Sequence, residues 1–307
     1  MAVDDRRLVF AGAGPPGMGT PWGTLGELTA RALAPLGYEV RVESRSSGTD
    51  NARYVADGRA DLGATHLTRV LGAYHGRWEY DGEPARTNLR VIAAINHPSW
   101  IGVAVRAGSD IADLSDIASR RLPVRVKSGA GPLFELVYEH YGLSRGLVES
   151  WGGRFHPFAP GRDVLPWVRD GDFDLILDTI YAAYTPEARH WHEASILHDL
   201  HFLPLPDELV TRICAEVGGE PSVIPRHLVR GVDAGVRSVA RLPQVVYARD
   251  DTPDDLVRTV ARTLDDNRHL FRSTHIPYSY DPRTVARTHG APLHPAAAAY
   301  YQEAGYL

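Results

Sequence analysis

Short apolar runs alternate with helix-spaced segments at the start of the chain, in the pattern of an α/β fold. The run Arg7–Ala11 reads as a buried strand, and apolar side chains from Trp22 to Leu36 recur at helical spacing until Gly37 ends the helix. A strand, helix, strand, helix, strand order predicts a parallel sheet with helices on its faces, whose ligands bind where the strands end. The pattern predicts strands at 7–11, 38–43 and 60–64 and helices at 21–36 and 50–57.

The second half of the chain repeats this order. Lys127–Pro132 forms a glycine-rich turn between a strand at 123–126 and a helix at 133–141, and Asp178 stands at the end of a buried strand. Two similar α/β halves predict two lobes that face each other across a cleft. Further strands are predicted at 89–95, 100–105, 174–178 and 245–249, and further helices at 111–118, 162–170, 253–267 and 296–304.

The first glycine-rich turn matches a dinucleotide-binding fingerprint, Gly12-x-Gly14-x-x-Gly17. In that motif the N–H groups of the first helical turn bind pyrophosphate, whereas Pro15 and Pro16 have no N–H to donate. The helix also begins after the fingerprint, so the sequence argues against a nicotinamide cofactor and we expect no cofactor. The residues of this turn that we expect to contact a ligand are Gly19, Thr20 and Trp22.

Composition and charge exclude several classes of partner. The 307 residues carry a net charge of −5 with interspersed signs, which argues against a nucleic-acid surface. No uninterrupted apolar window of about 18 residues occurs, so we expect no membrane insertion. His190 and His192 do not share a face of a helix, so we expect no metal site. Met1–Arg7 has no apolar leader, so the sequence as written predicts a cytoplasmic protein; a native signal lost from it would make the protein extracytoplasmic.

Hydroxyl groups and backbone N–H groups gather at the start of the second predicted helix. A helix N-terminus of this kind suits a carboxylate or a phosphate. The alternative is ordinary capping of the helix by Thr49 or Asp50. The candidate ligand-binding residues are Ser46, Ser47, Gly48, Thr49 and Asn51.

Other candidates stand at the ends of predicted strands. His66 is either a hydrogen-bonding ligand group or a general acid–base, and Lys127 and Asp178 are either a catalytic pair, ligand-binding charges or a salt bridge. If the protein is an enzyme, its catalytic residues are predicted to be His66, Lys127 and Asp178. If it only binds, the predicted ligand contacts among these segments are His66, His97, Ser128, Gly129 and Asp178.

Five segments together resemble one known family. They are Ser46–Asn51, Val55–Gly63, Asn88–Ala94, Ala248–Val257 and, as the most specific, Pro292–Gly305. They are similar to segments of TAXI-type solute receptors, the binding proteins of one class of tripartite (TRAP) transporters. The chain departs from the family at His66 and Thr68, where the receptors typically have Gln and Asp.

The resemblance implies a type II periplasmic-binding-protein fold of the α/β class. Each of two lobes would be a mainly parallel sheet flanked by helices, with the ligand cleft between them. Lobe one would be 1–104 plus 240–307, and lobe two 105–239. The implied ligand is a small organic anion, and TRAP membrane subunits would be partners if the protein is exported.

Two functions follow from these observations. The leading hypothesis is a TAXI-type binding protein that closes on a carboxylate-bearing metabolite. The alternative is a cytoplasmic enzyme on the same fold, a lyase, dehydratase or cyclase that acts on a carboxylated small molecule, since a closing site excludes water.

Overall fold

The computed structural model describes residues 6–13, 21–44, 48–156, 165–185, 188–274, 276 and 278–307. The chain divides into two compact units. The first unit consists of Met1–His97 and Leu242–Leu307, and the second unit is Pro98–Arg241. The sequence placed these divisions at 104/105 and 239/240. The predicted boundary put the strand at 100–105 in lobe one. In the structure this strand pairs with strands of the second unit, so the second unit begins earlier, at Pro98.

The elements follow the alternation that the sequence predicts. The described strands are β1 (Arg7–Ala13), β2 (Glu39–Ser44), β3 (Leu62–His66), β4 (Leu89–Ile95), β5 (Ser99–Arg106), β6 (Arg125–Ser128), β7 (Arg154–Phe155), β8 (Leu175–Tyr181), β9 (Leu200–Phe202), β10 (Glu220–Ile224), β11 (Val236–Ala240) and β12 (Gln244–Arg249). The described α-helices are α1 (Pro21–Leu33), α2 (Gly48–Ala56), α3 (Leu67–His75), α4 (Ser115–Arg120), α5 (Pro132–His140), α6 (Arg145–Ser150), α7 (Pro166–Arg169), α8 (Arg189–Leu197), α9 (Asp207–Glu216), α10 (Asp254–Asp266) and α11 (Pro295–Glu303). Short 3₁₀ helices cover Ala34–Leu36, Trp78–Tyr80 and Arg268–Ser273.

The first unit is built on a five-stranded mixed sheet. Its strand order is β2-β1-β3-β12-β4. β1 runs parallel to β2 and β3, whereas β12 returns from the second unit and pairs antiparallel with both β3 and β4. The parallel strands β1, β2 and β3 therefore end at the same edge of the sheet, as the strand–helix alternation predicts.

Helices cover both faces of this sheet. Successive strand residues point to opposite sides, so neighbouring residues of one strand are buried in different cores. Phe10 packs against α1 and α10 on one face, and the next residue, Ala11, joins the core beside α2 and α3 on the other. Val246 and Val245 of β12 divide in the same way. The near-continuous apolar runs in the sequence are therefore strands that are covered on both sides.

The second unit has its own mixed sheet and its own core. Its order is β10-β11-β5-β8-β6-β7, with β9 also paired to β5. β6 runs parallel to β7 and β8, so Ser128 and the end of β8 lie at the same edge. Trp191, Phe173 and Ile176 are fully buried in this core.

Two predicted helices differ from the observed ones. The helix predicted at 111–118 begins only at Ser115, because the side chains of Asp113 and Asp116 accept hydrogen bonds from nearby backbone N–H groups and hold a turn ahead of it. The helix predicted from Arg162 has its start outside the described residues, and α7 is observed from Pro166. None of the helices in the described ranges is long and apolar enough to cross a bilayer.

Candidate functional site

The start of α2 in the first unit forms a cradle around Gly48. A β-carbon at this position would lie 2.5 Å from Oγ1 of Thr65, 2.7 Å from Nη1 of Arg69 and 3.2 Å from Cη2 of Trp22. Only a residue without a side chain leaves room for these three groups. We call Trp22, Gly48, Thr65 and Arg69 the Gly48 cradle.

The cradle is rich in hydrogen-bond donors. The first N–H groups of α2 have no acceptor within their own helix. Thr65 is fully buried, and within the described ranges its hydroxyl has no hydrogen-bond partner. The indole N–H of Trp22 is also buried and unpartnered in that part of the chain. Buried polar groups are normally hydrogen-bonded, so these two donors are available to an acceptor.

Arg69 adds a positive charge to the cradle. It stands in the first turn of α3, and its guanidinium carbon lies 5.1 Å from the centre of the Trp22 ring. The same tryptophan packs edge-on against the His66 ring, with 6.3 Å between the ring centres. The N-terminus of α2, an arginine and an indole thus meet beside Thr65 of β3, an arrangement that suits an oxyanion.

Two predicted residues of α2 serve the fold as well as the site. Asn51 is fully buried, and its side-chain N–H donates to the carbonyl of Ala64 at 3.1 Å, which fixes α2 against β3. The carbonyl of Thr49 accepts from the Tyr80 hydroxyl at 3.1 Å. These bonds hold the start of α2 in place beside Thr65.

His66 and His97 meet through a third polar residue. Nε2 of Gln244 lies 3.0 Å from Nε2 of His66 and 3.5 Å from Nδ1 of His97. All three are buried, and His97 also packs on Tyr278 with 4.9 Å between ring centres. Gln244 comes from β12, which lies between β3 and β4, so the sheet order joins two histidines far apart in sequence.

A second polar cluster lies beside the end of β6 and the middle of β8 in the second unit. Asp178, predicted at the end of its strand, is followed by three further residues of β8 that pair with β5. Nζ of Lys127 donates to Oδ2 of Asp178 at 2.8 Å and to the Ser128 carbonyl at 3.0 Å. The backbone N–H of Thr179 donates to the other carboxylate oxygen at 2.7 Å, and Nε2 of His190 lies 3.4 Å from Oδ2. We call Lys127, Asp178 and His190 the Asp178 cluster.

The electrostatics of this cluster keep Asp178 ionised. Burial alone would raise the pKa of its carboxyl, but the charge of Lys127, then that of His190, and the hydrogen bonds from Lys127 and Thr179 lower the pKa below the ordinary value. Gly129 packs against the same carboxylate, since a β-carbon there would lie 2.6 Å from Oδ1 of Asp178. The hydroxyl of Ser128 donates to the Gly129 carbonyl at 2.8 Å.

The predicted site residues therefore form one group in each unit, and four of them lie outside the described residues. Trp22, Gly48 and His66 come together in the first unit, and Lys127, Ser128, Gly129 and Asp178 come together in the second. Thr49 and Asn51 stand beside Gly48, and His97 joins His66 through Gln244. Gly19, Thr20, Ser46 and Ser47 lie outside the described residues. The ligand contacts of all these residues stay predictions.

Sequence reasoning missed Thr65, Arg69, Gln244 and the link from His190 to Asp178. Arg69 is the first cation after the third strand end, which is the one local signal that marked it. His190 was considered only as a metal ligand together with His192. In the described ranges no group of three His, Cys, Asp or Glu side chains is placed to hold a metal ion.

Comparisons with known proteins agree with this architecture. A model of the NMT1-like family matches residues 13–305. A TctC solute-binding protein from Polaromonas is 16% identical, with 99% of each chain covered and a TM-score of 0.52. A Xanthomonas citri protein bound to a chloride ion is 13% identical over 98% of this chain and 97% of that one, with a TM-score of 0.51.

At these identities the structural likeness shows the fold alone. It confirms the predicted fold class, the two-lobed α/β fold of periplasmic binding proteins. The sheets were predicted to be mainly parallel but are mixed, because β12 and β5 pair antiparallel with their neighbours. The family match is broader than the TAXI resemblance, which stays a prediction.

Proposed function

The chain belongs to the NMT1-like family, and we propose that it is a solute-binding protein for a small organic anion that carries a carboxylate. The observation that carries this proposal is the Gly48 cradle. A helix N-terminus, a buried hydroxyl without a partner in the described residues and an arginine converge on one point, and each of them stabilises a negatively charged acceptor. The TctC solute-binding protein with the same fold supports a binding role.

A binding experiment tests this proposal directly. Calorimetry and thermal shift would be run against dicarboxylates, amino acids, 2-oxo acids and alkanesulfonates. We expect at least one carboxylate to bind and to raise the melting temperature in proportion to its concentration over Kd. The absence of both heat and stabilisation across the panel would refute the proposal.

We further propose that the chain is a TAXI-type receptor and, if exported, works with TRAP membrane subunits outside the cytoplasm. This finer assignment is supported by the C-terminal segment Pro292–Gly305, which resembles the receptor signature. Genes for TRAP membrane subunits beside the gene of this protein would support the assignment. Neighbouring genes for a biosynthetic pathway, with no permease gene, would contradict it.

The Asp178 cluster favours a second candidate function, a lyase, dehydratase or cyclase on the same fold. Asp178 is ionised, and a lysine and a histidine lie within 2.8 and 3.4 Å of the same oxygen, so the cluster holds groups able to accept and donate a proton. If this function is correct, incubation of the protein with its bound acid changes the mass or the NMR spectrum of that acid. Asp178→Asn would then abolish the change while the acid still binds. An acid recovered unchanged from saturating protein would exclude this function for that acid.

A further inference from the structure

Arg69 differs from the other arginines near the start of α2 in how its charge is used. Arg53 is held by Glu83 at 2.5 Å and by Asp50 at 3.0 Å, and Arg86 pairs with Glu83 at 2.9 Å. The hydrogen bond from Arg53 lowers the pKa of Glu83, so this carboxylate is ionised. The charges of Arg53 and Arg86 are therefore paired with carboxylates within the fold at hydrogen-bond distance.

In the described residues Arg69 pairs with Glu79, and the contact is too long for a hydrogen bond. Nε of Arg69 lies 3.8 Å from Oε1 of Glu79, beyond hydrogen-bond distance. The other Glu79 oxygen is buried and has no hydrogen-bond partner in the described residues. The Arg69 side chain is 20% exposed, and Nη1 lies at the position that a β-carbon of residue 48 would crowd. Nη1 of Arg69 therefore lies at the Gly48 cradle, while Nε faces Glu79.

We propose that Arg69 binds the anionic group of the ligand, and that the charges around it restrict this group to a single negative charge. The inference rests on the proposed binding function and names the chemistry of its ligand. The planar guanidinium matches the two oxygens of a carboxylate, and Thr65 and the first N–H groups of α2 supply further donors to the same oxygens.

The restriction to one charge follows from the local balance. Three arginines, Arg53, Arg69 and Arg86, face three acids, Asp50, Glu79 and Glu83. A singly charged group can pair with Arg69 in place of Glu79, whose contact with Arg69 is long. The positive end of the α2 helix dipole then offsets part of the charge left on Glu79. A doubly charged phosphate would bring a second negative charge close to Glu79, where repulsion is strong because the site is half-buried.

The test compares three small probes that differ in the charge of one group. Propionate, propionamide and ethyl phosphate at pH 8 would be titrated by NMR into the wild type, Arg69→Gln, Arg69→Lys, Glu79→Gln and Arg31→Gln. Ethyl phosphate is largely doubly charged at this pH, since the second pKa of a phosphate monoester is about 6. Arg31 is an exposed arginine of α1 and serves as the matched control. A cooperative thermal transition would establish that each variant is folded.

We expect the wild type and Arg31→Gln to prefer propionate over both other probes. Arg69→Gln should lower the affinity for propionate by roughly 10- to 100-fold, the range for a hydrogen bond to a charged group. The affinity for propionate should then equal that for propionamide. Arg69→Lys should keep part of the preference because it keeps the charge. Glu79→Gln should raise the affinity for ethyl phosphate more than the affinity for propionate, because it removes the charge that repels the second negative charge of the phosphate.

Each contrary result separates this inference from the binding function. If Arg69→Gln prefers propionate as strongly as the wild type does, Arg69 is not the anion-binding residue, although the protein still binds acids. If the wild type binds ethyl phosphate more tightly than propionate, the restriction to one charge is wrong. If the full acid panel fails to bind to the wild type, the proposed function itself fails, whatever Arg69 does.

Discussion

At the residue scale, the absence of a side chain at Gly48 is what makes room for the groups of the Gly48 cradle. The backbone there has no left-handed conformation that demands glycine, so the reason is the space that Thr65 and Arg69 occupy. The sequence predicted a helix over 50–57 with Gly48 and Thr49 beside its N-terminus, and the structure begins this helix at Gly48. The sequence could not show that Thr65 and Arg69 reach the same point, because their approach depends on how β3 and α2 pack.

Replacing Gly48 by Ala should therefore damage both stability and binding. The added methyl group collides with the buried Thr65 hydroxyl, and overpacking of this kind costs about 1–3 kcal/mol. Gly146→Ala is the matched control, because Gly146 is also helical and has nothing within 4 Å of the added carbon. There the change should stabilise the helix by roughly 0.5–1 kcal/mol. Chemical denaturation would measure the stability of the two variants, and ligand titration would measure their affinity. Equal effects of the substitution at the two positions would contradict the cradle geometry.

The ion pair of Lys127 and Asp178 gives a second prediction at this scale. Lys127→Met removes the ammonium group and leaves the Asp178 carboxylate beside His190 and the N–H of Thr179, so the free energy of unfolding should fall by about 3 kcal/mol at pH 7. The double variant Lys127→Met/Asp178→Asn should recover most of the loss, since no buried charge is left unpaired. A double variant as unstable as the sum of two single variants would show that the pair does not act as a unit.

The pH dependence of this pair has a definite sign. The pKa of Asp178 lies below its ordinary value of 3.8, so its contribution to stability is complete above about pH 4 and is lost as the pH falls further. Unfolding measured between pH 7 and pH 2.5 should show a steeper acid loss in the wild type than in Asp178→Asn.

At the scale of single elements, apolar spacing predicted many of the strands and helices, but polar contacts decided where they begin. The spacing did not predict α3, α6, α9, β10 or β11. The strands of the first unit were predictable because both of their faces are apolar, and α10 because its apolar side chains repeat at helical spacing. The start of α4 was not, because Asp113 and Asp116 hold the preceding backbone in a turn.

The start of α11 carries a prediction of this kind. Nδ1 of His294 accepts the N–H of Ala296 at 3.2 Å, which requires a neutral ring, and burial lowers the pKa of His294 from its ordinary value of 6.5. Stability from this cap is therefore complete above about pH 6.5 and falls as the pH falls below it. His294→Asn keeps an accepting cap that does not titrate.

We expect the wild type to lose more stability than His294→Asn between pH 7.5 and pH 5.5, by an amount of about 1 kcal/mol, the usual size of a cap. His201→Asn, at an exposed histidine of β9, is the control and should follow the wild type. The measurement is the melting temperature at each pH. Parallel curves for the wild type and His294→Asn would show that the His294 cap does not titrate in this range.

At the scale of the whole molecule, the alternation of elements predicted an α/β fold with two halves, and the family resemblance supplied the two-lobed class that the comparisons confirm. Alternation alone could not place β12. This strand is distant in sequence from β3 and β4, yet it completes the first sheet by pairing with both. Its position also brings Gln244 between His66 and His97. This part of the candidate site therefore depends on a long-range strand pairing that the sequence pattern did not predict.

The position of β12 predicts which fragments of the chain fold. Residues 98–241 are contiguous and contain a whole sheet and core, and their ends meet where the N–H of Arg241 donates to the Ser99 carbonyl at 2.9 Å. This fragment should unfold cooperatively when it is expressed alone. Residues 1–97 alone should not, because β3 and β4 would each lose the strand that lies between them.

Joining 1–97 to 242–307 through a four-residue Gly/Asn turn should restore the first unit. Ile95 and Gln244 are antiparallel register partners, so the turn closes a hairpin across a short distance. The joined protein should show a cooperative thermal transition and keep its affinity for propionate, since the whole Gly48 cradle lies within it. If the joined protein folds cooperatively but its Arg69→Gln variant binds propionate equally well, the first unit would be an independent folding unit without being the anion site.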